Sequence, residues 1–381
     1  MAGEYLLALI ALSLLVVLIF VIFWTKNRTT PQEIAQQIFM EGLMALASGD
    51  EKLAYQKFRS VVQQDTENVE AYLKLGDLMR KKGKPEKALQ IHRELTIRPS
   101  LSETKRLQVE KSLAEDYLAT GQVEKAAQIL EELWKKEKES AELGEKLLSA
   151  YEKLADWDKA VAVAERLSRL KGEKGSPKAA LCKVMQGRAA ADKEDYHQAR
   201  IAYKEALNYD EKCVPAYLYL GEAYLAERRL EEAVEYWKKS LEVVPAAGYL
   251  IYPRLEKALF DLGKFGEIFK IYLEVLEKNP QEIRTMYALA GIYQKKGNAN
   301  LAIEALKGIL EIQPDYYPAL GNLILLYSQN GLTQEARLLL EQYQARLAGL
   351  DDKLACQSCG QAYSTPPWRC PACGRINVYQ W

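Results

Sequence analysis

The sequence predicts an all-α protein, in which a solenoid of about nine stacked helix pairs lies between one apolar N-terminal helix and a small C-terminal cysteine domain. Three observations indicate this fold. The middle of the chain repeats with a period near 34 residues, residues 5–24 carry no charge, and two Cys-x-x-Cys pairs lie close to the C-terminus. We therefore divide the 381 residues into segments 1–28, 35–348 and 354–381.

The first segment is predicted to anchor the chain in a membrane. Residues 5–24 are apolar, and a helix of that length rises about 30 Å, which matches the hydrocarbon core of a bilayer. Lys26 and Arg28 follow this span, whereas Glu4 is the only charged side chain before it. The positive-inside rule then predicts a single-pass protein with its C-terminal bulk in the cytoplasm. A cleaved signal peptide is the alternative, but it requires a basic segment before the apolar stretch.

Composition narrows the class of function. The chain carries 52 basic and 52 acidic side chains, so its formal net charge is zero, which argues against a nucleic-acid partner held by bulk positive charge. It has only two histidines, and it lacks the Gly-x-Ser-x-Gly, His-Glu-x-x-His and phosphate-loop motifs. We therefore predict that the protein is not an enzyme and does not bind nucleic acid.

The middle segment, residues 35–348, is predicted to be one repeat array. In its clearest unit, Tyr217, Leu220, Gly221 and Tyr224 have the spacing of the first helix of a tetratricopeptide repeat, a 34-residue helix–turn–helix unit that this segment resembles. One residue, usually small, opens the second helix of each unit, and successive markers lie 34, 38, 34, 39, 34, 35, 34 and 34 residues apart. One unit cannot bury its apolar face alone, so stacking stabilises the array. The markers are Ala54, Ala88, Ala126, Ala160, Ala199, Ala233, Ile268, Ala302 and Ala336.

The two longest intervals locate insertions. One lies near Pro99, where we expect Ser102 to cap the next helix with Glu103 in its first turn. The other covers residues 171–177, which contain two glycines and end in a proline. Because glycine and proline interrupt helices, we predict a bend between two halves of the array at 171–177.

Four cysteines in the last segment predict a metal site. Cys356 and Cys359 form one Cys-x-x-Cys pair, Cys370 and Cys373 form the other, and ten residues separate the pairs. Two such pairs can direct four thiolates at one ion, either zinc or iron. Disulfides are the alternative, but thiols stay reduced in the predicted cytoplasmic location. Four sulfur ligands leave no position for water or substrate, so the ion is expected to be structural.

The remaining histidines and thiols are interpreted as structural. His92 occupies the repeat position of Trp237 and is expected to be packed or half-exposed, while His197 is expected at the surface or at a helix cap. Cys182 and Cys213 are isolated in sequence, and a lone cysteine is usually a buried, small apolar residue.

A stack of helix pairs curves, and the first helix of each pair lines the resulting groove. Polar side chains that the repeat places on this face are candidates for binding a partner protein. Such an array can also form a homodimer through an edge helix. The candidate groove residues are Asp77, Arg80, Arg188, Glu222, Lys257 and Arg284.

The ordered combination of membrane span, repeat array and cysteine pairs resembles the lipopolysaccharide assembly protein B family over the whole chain. The segment 71–95 and the run from Trp368 to Cys373 strengthen the resemblance. It implies that the four cysteines form a rubredoxin-type domain that packs against the repeat helices, with Trp368 over the metal. The chain departs from the family pattern at residues 354–355 and at Gln361, where aromatic residues are expected.

The resemblance also implies a function. Members of this family act as adaptors on the cytoplasmic face of the inner membrane, where they deliver the lipid A pathway deacetylase to the membrane-bound protease FtsH and so restrain lipopolysaccharide synthesis. A generic envelope-assembly scaffold that binds other inner-membrane proteins is one alternative. An iron-binding electron-transfer protein is another, although the ten-residue gap between the cysteine pairs is far shorter than in free rubredoxins.

Overall fold

The computed structural model describes residues 30–99, 101–347, 354–363 and 368–376. Within these residues the protein is all-α apart from two short strands, which confirms the predicted fold class. None of the helices in this described part is long and apolar enough to cross a membrane. The predicted anchor at residues 5–24 lies outside the described residues.

The chain divides into two compact units between Lys138 and Glu139. The described part of the first unit begins with a capping box, in which the Glu33 N–H donates to the Thr30 hydroxyl at 3.2 Å and the Thr30 N–H donates to the Glu33 carboxylate at 2.7 Å. Three helix pairs follow. Their helices are α1 Pro31–Ala47, α2 Glu51–Gln64, α3 Val69–Lys81, α4 Pro85–Thr96, α5 Glu103–Ala119 and α6 Val123–Lys136.

The second unit contains six further helix pairs and the cysteine domain. A short 3-10 helix, Pro245–Ala247, precedes the seventh pair of the chain, and strands β1 Leu354–Ala355 and β2 Ala362–Tyr363 pair antiparallel. The helices are α7 Ala141–Leu154, α8 Trp157–Leu170, α9 Pro177–Ala191, α10 Tyr196–Tyr209, α11 Val214–Ala226, α12 Leu230–Val243, α13 Gly248–Asp261, α14 Gly266–Lys278, α15 Ile283–Lys295, α16 Ala299–Ile312, α17 Tyr317–Gln329 and α18 Thr333–Leu347.

The nine predicted repeat units are confirmed. Each marker residue lies on the second helix of a pair, and each is buried, including the larger Ile268. Packing of the pairs depends on complementary volumes at positions sixteen residues apart. A methyl group at Gly221 would overlap the indole ring of Trp237, and one at Gly76 would overlap the imidazole of His92. These glycines therefore let the first helix lie directly against a large side chain of the second.

The two insertions take different forms. Ser102 caps α5 by accepting the N–H of Lys105 at 3.4 Å, as the sequence predicts. Residues 171–176 join α8 to α9 inside the second unit, where the Ser176 N–H donates to the Tyr209 carbonyl at 2.9 Å. The bend expected at 171–177 stays a prediction.

The isolated histidines and thiols lie where the sequence places them. His92 is buried, with Nδ1 2.5 Å from an Asp116 carboxylate oxygen and Nε2 3.2 Å from the Leu73 carbonyl, while His197 is exposed. Cys213 is also buried, and burial raises the pKa of its thiol to about 12. A thiol that stays protonated at neutral pH is a poor nucleophile, which agrees with a structural role.

Candidate metal centre

The four predicted cysteines come together at one point. The sulfurs of Cys356 and Cys373 are 3.8 Å apart, those of Cys359 and Cys370 are 3.7 Å apart, and all four lie within 4.8 Å of one another. A tetrahedral ion with metal–sulfur bonds of about 2.3 Å places its ligand sulfurs about 3.8 Å apart. The donor set and its spacing therefore fit one zinc or iron ion, and four thiolates complete the coordination of either.

Two copies of the same backbone turn position these sulfurs. The Gly360 N–H donates to the Cys356 carbonyl, and the Gly374 N–H donates to the Cys370 carbonyl, both at 2.8 Å. Both glycines have positive φ, 74° and 72°, which an L side chain adopts only at a cost. The glycine after each cysteine pair is thus required by the turn. We call residues 354–363 and 368–376 together the metal knuckle.

One aromatic side chain at the centre was not predicted. The Tyr363 hydroxyl lies 3.2 Å from the Cys370 sulfur, and its hydrogen bond is the main reason that the pKa of the Cys370 thiol is lowered, to about 6. Metals bind the thiolate, so the bond from Tyr363 favours the ligating form of Cys370. Tyr363 lies two residues after Gln361, where the sequence comparison with the family already expected an aromatic side chain near the first cysteine pair. Trp368 is buried, and its packing over the metal stays a prediction.

The metal knuckle docks on the turn between α7 and α8. The Arg369 guanidinium donates to the Glu152 carbonyl at 2.7 Å, close to the C-terminal end of α7, and its central carbon lies 5.2 Å from the Trp157 ring centroid. Carbonyls in the last turn of a helix lack intrahelical partners and carry partial negative charge. A cation from the metal knuckle therefore stabilises this helix end, and the indole adds a cation–π contact.

A buried carboxylate forms the second part of the docking contact. The Glu152 side chain has an exposed fraction of 5%, and a carboxylate oxygen lies 3.9 Å from Arg375 Nε. Burial raises the pKa of Glu152, although the Arg375 charge and the Ile376 N–H both favour the ionised form. Sequence reasoning missed the docking of the metal knuckle on Glu152, because Glu152 lies 217 residues from Arg369. Arginines on both sides of the second cysteine pair were the available signal.

Replacing Glu152 by alanine is expected to loosen the docking contact without releasing the metal. The substitution removes the carboxylate that faces Arg375 and the Ile376 N–H, and a buried donor left without its acceptor costs about 1–3 kcal/mol. The Arg369 bond to the backbone carbonyl and all metal ligands stay in place. Hydrogen exchange of amides in residues 150–158 and 368–376 should speed up, while metal content stays constant. Glu145→Ala, on the same helix but paired with Lys171 and Lys178, is the control. Unchanged exchange at both segments would contradict a docking role for Glu152.

The six candidate groove residues all lie on first helices of pairs, and the structure brings some of them together. Asp77 and Arg80 form an ion pair on α3 at 2.8 Å. Arg188 and Glu222 line one cleft of about 220 Å³ in the second unit. Partner binding by these residues stays a prediction.

The other charged groups of this set have varied surroundings. Glu222 accepts a bond from Arg254 Nε at 2.8 Å, and the Arg284 guanidinium donates to the Ala246 carbonyl at 2.6 Å. Lys257 is exposed on α13. Several of the predicted groove charges therefore already have partners within the chain.

Comparison with known proteins gives matches in the array and along the chain. The tetratricopeptide repeat family matches residues 184–247 and again residues 283–316. Lipopolysaccharide assembly protein B of Escherichia coli is 24% identical over 361 residues, which cover 92% of each chain. The Haemophilus influenzae protein of the same name is 24% identical over 88% of this chain and 87% of its own.

Among solved structures, the crystal structure of MamA matches with a TM-score of 0.31 and 25% identity, over 43% of this chain and 97% of MamA. The comparison therefore depends on the sequence relatives. Over nearly the whole of both chains this protein is similar to lipopolysaccharide assembly protein B, its array matches the tetratricopeptide repeat family in two places, and four cysteines converge near its C-terminus.

Proposed function

We propose that this protein is an inner-membrane adaptor that restrains lipopolysaccharide synthesis by promoting degradation of the lipid A pathway deacetylase by the membrane-bound protease FtsH. In this proposal residues 5–24 span the membrane once, and the repeat array and metal knuckle face the cytoplasm. The protein itself performs no chemistry. It holds client and protease together, and sharing one membrane raises their effective concentration.

The observation that carries the proposal is the similarity to lipopolysaccharide assembly protein B over 92% of both chains. The metal centre supports an adaptor rather than a catalyst. Four thiolates and a structural ion leave no open coordination position, and the ion's contribution is to hold the metal knuckle folded. Arg369 and Arg375 then link the folded knuckle to α7.

Deleting the gene is expected to lengthen the half-life of the deacetylase severalfold, because the protease loses the adaptor that delivers its client. Immunoblotting after a translation block measures this half-life directly. Re-expression of the wild-type chain should restore turnover. Re-expression of residues 30–381 without the span should restore it only in part, since the client is then delivered from solution.

An unchanged half-life in the deletion strain would contradict the proposal. In that case, pull-down with the full chain and with the chain lacking residues 5–24 would distinguish a generic scaffold for other inner-membrane proteins from an adaptor that needs the membrane.

A further inference from the structure

The first unit contains an open groove across its three first helices. Its volume is about 430 Å³, which lies within the range of about 300–1,000 Å³ typical of ligand pockets. Apolar side chains of α1 form one end, α3 forms the middle, and polar side chains of α5 form the other end. We call this the α1–α3–α5 groove, and its lining includes Phe39, Leu43, Leu73, Lys74, Gln108 and Ser112.

One charge in this groove lacks a partner. Glu70, Asp77 and Lys111 line the groove and form ion pairs with Lys105, Arg80 and Glu137. Lys74 is half-buried and has no hydrogen-bond or ion-pair partner among the described residues. Partial burial of an uncompensated ammonium is unfavourable, so an anionic group that enters the groove gains a ready partner.

A network of hydrogen bonds and ion pairs between α3 and α5 fixes the width of the groove. Arg80 on α3 donates to Glu115 and to Asp116 on α5, both at 2.6 Å. The Ser112 hydroxyl adds a bond to Asp77 at 3.3 Å. These bonds hold α3 and α5 together, which leaves the groove preformed. A preformed site loses less conformational entropy on binding, so its affinity for a ligand is higher.

The apolar end of the groove favours an apolar side chain of a ligand, whereas the charged middle favours an anionic group. Phe39 packs on Phe58 with ring centroids 5.5 Å apart, and Leu43 lies one turn further along α1. Both side chains are half-buried and line the groove. They offer a surface for an aliphatic or aromatic side chain in the same groove as a group bound at Lys74.

We propose that the α1–α3–α5 groove binds an extended segment of a partner protein that carries an acidic side chain two residues from an apolar one, so that both side chains point to the same face. Lys74 binds the carboxylate, and Phe39 and Leu43 contact the apolar side chain. The groove is open, and Lys74 lies on the middle helix, so a segment that crosses all three helices passes the ammonium midway. The carboxylate therefore belongs to a side chain within the segment rather than to a chain terminus.

The test uses the full-length chain in detergent and fluorescein-labelled octapeptides that are acetylated at one end and amidated at the other. An array of these peptides places the pairs Leu-Glu, Leu-Gln, Leu-Lys or Ala-Glu, with one glycine or serine between the two residues, at each position of a Gly-Ser background, and each peptide is named by its pair. Fluorescence polarisation measures Kd. Leu-Glu peptides are expected to bind about tenfold more tightly than Leu-Gln peptides, the size of one charge-assisted hydrogen bond.

Substitution of the lysine makes the test specific. In Lys74→Gln the preference for Leu-Glu over Leu-Gln should disappear, and in Lys74→Glu it should reverse in favour of Leu-Lys. Lys52→Gln, at an exposed position of α2, is the matched control and should bind like the wild type. Equal binding of Leu-Glu and Leu-Gln, or no saturable binding across the array, would overturn the proposal. Neither result bears on deacetylase turnover, so this inference and the proposed function fail separately.

Discussion

Replacing Cys370 by serine is expected to release the metal and unfold the metal knuckle, while the repeat array keeps its helices. The substitution removes the fully buried Cys370 sulfur, which is one of the four ligands. Structural zinc contributes about 10–16 kcal/mol of folding free energy to small metal domains, far more than the short strands β1 and β2 can supply alone.

The array should survive because each helix pair contacts mainly its neighbours. Mass spectrometry of the purified chain would measure bound zinc and iron, and the same wild-type measurement identifies the ion. Circular dichroism at 222 nm should remain within about 10% of wild type, since the array contributes nearly all of the helix. Limited proteolysis should begin at Arg369 and Arg375. Ser358→Ala, an exposed non-ligand between the first two cysteines, is the control.

Two results would contradict this account. Retention of the metal would mean that three cysteines suffice, and global loss of helix would mean that the knuckle is not separable from the array. If the metal knuckle alone unfolds, Cys370→Ser in cells also shows whether deacetylase turnover needs the docked knuckle.

Local patterns explain why so much of the fold could be predicted from sequence. The 34-residue period specifies helix pairs because each unit repeats the same packing, and the marker at Ala233 lies at the same buried position as that at Ala88. Metal ligation was predictable for a similar reason. The knuckle turn needs only Cys-x-x-Cys-Gly, so Cys356 and Gly360 already encode its geometry.

Contacts between residues that are far apart in the sequence could not be predicted from local patterns. Glu152 looks like any polar residue of a first helix, and only the folded chain shows that it accepts a bond from Arg369. The same holds for Arg80, which the sequence places in a groove and the structure ties to Glu115 and Asp116. Periodicity assigns a residue to a face, but the partner on that face depends on how neighbouring pairs stack.

Replacing Gly221 by alanine is expected to destabilise the sixth helix pair by about 1–3 kcal/mol, the usual cost of overpacking a core. The added methyl group would overlap the indole of Trp237, which is fully buried and donates from Nε1 to the Leu218 carbonyl at 3.2 Å. The buried ring must shift to admit the methyl group, and the shift weakens this bond. Hydrogen exchange of amides in α11 and α12 measures the local opening free energy.

Gly321→Ala is the matched control, because Gly321 also lies within a first helix but has no atom within 4 Å of an added methyl group. There the substitution should stabilise α17 by about 0.5–1 kcal/mol, the difference in helix propensity between glycine and alanine. Equal effects at both sites would show that backbone propensity, and not the close approach to Trp237, decides the outcome.

Another repeat of the array shows which residue of the second helix is compatible with alanine at the glycine position. Ala290 and Leu306 occupy, two repeats on, the positions that Gly221 and Trp237 occupy here, and both are fully buried. In the double variant Gly221→Ala, Trp237→Leu the methyl group no longer meets an indole, so the loss of stability should be smaller than the sum of the two single losses. Contacting residues typically couple by about 0.5–3 kcal/mol in such a cycle. Strict additivity would mean that the two positions do not share the space that the structure gives them.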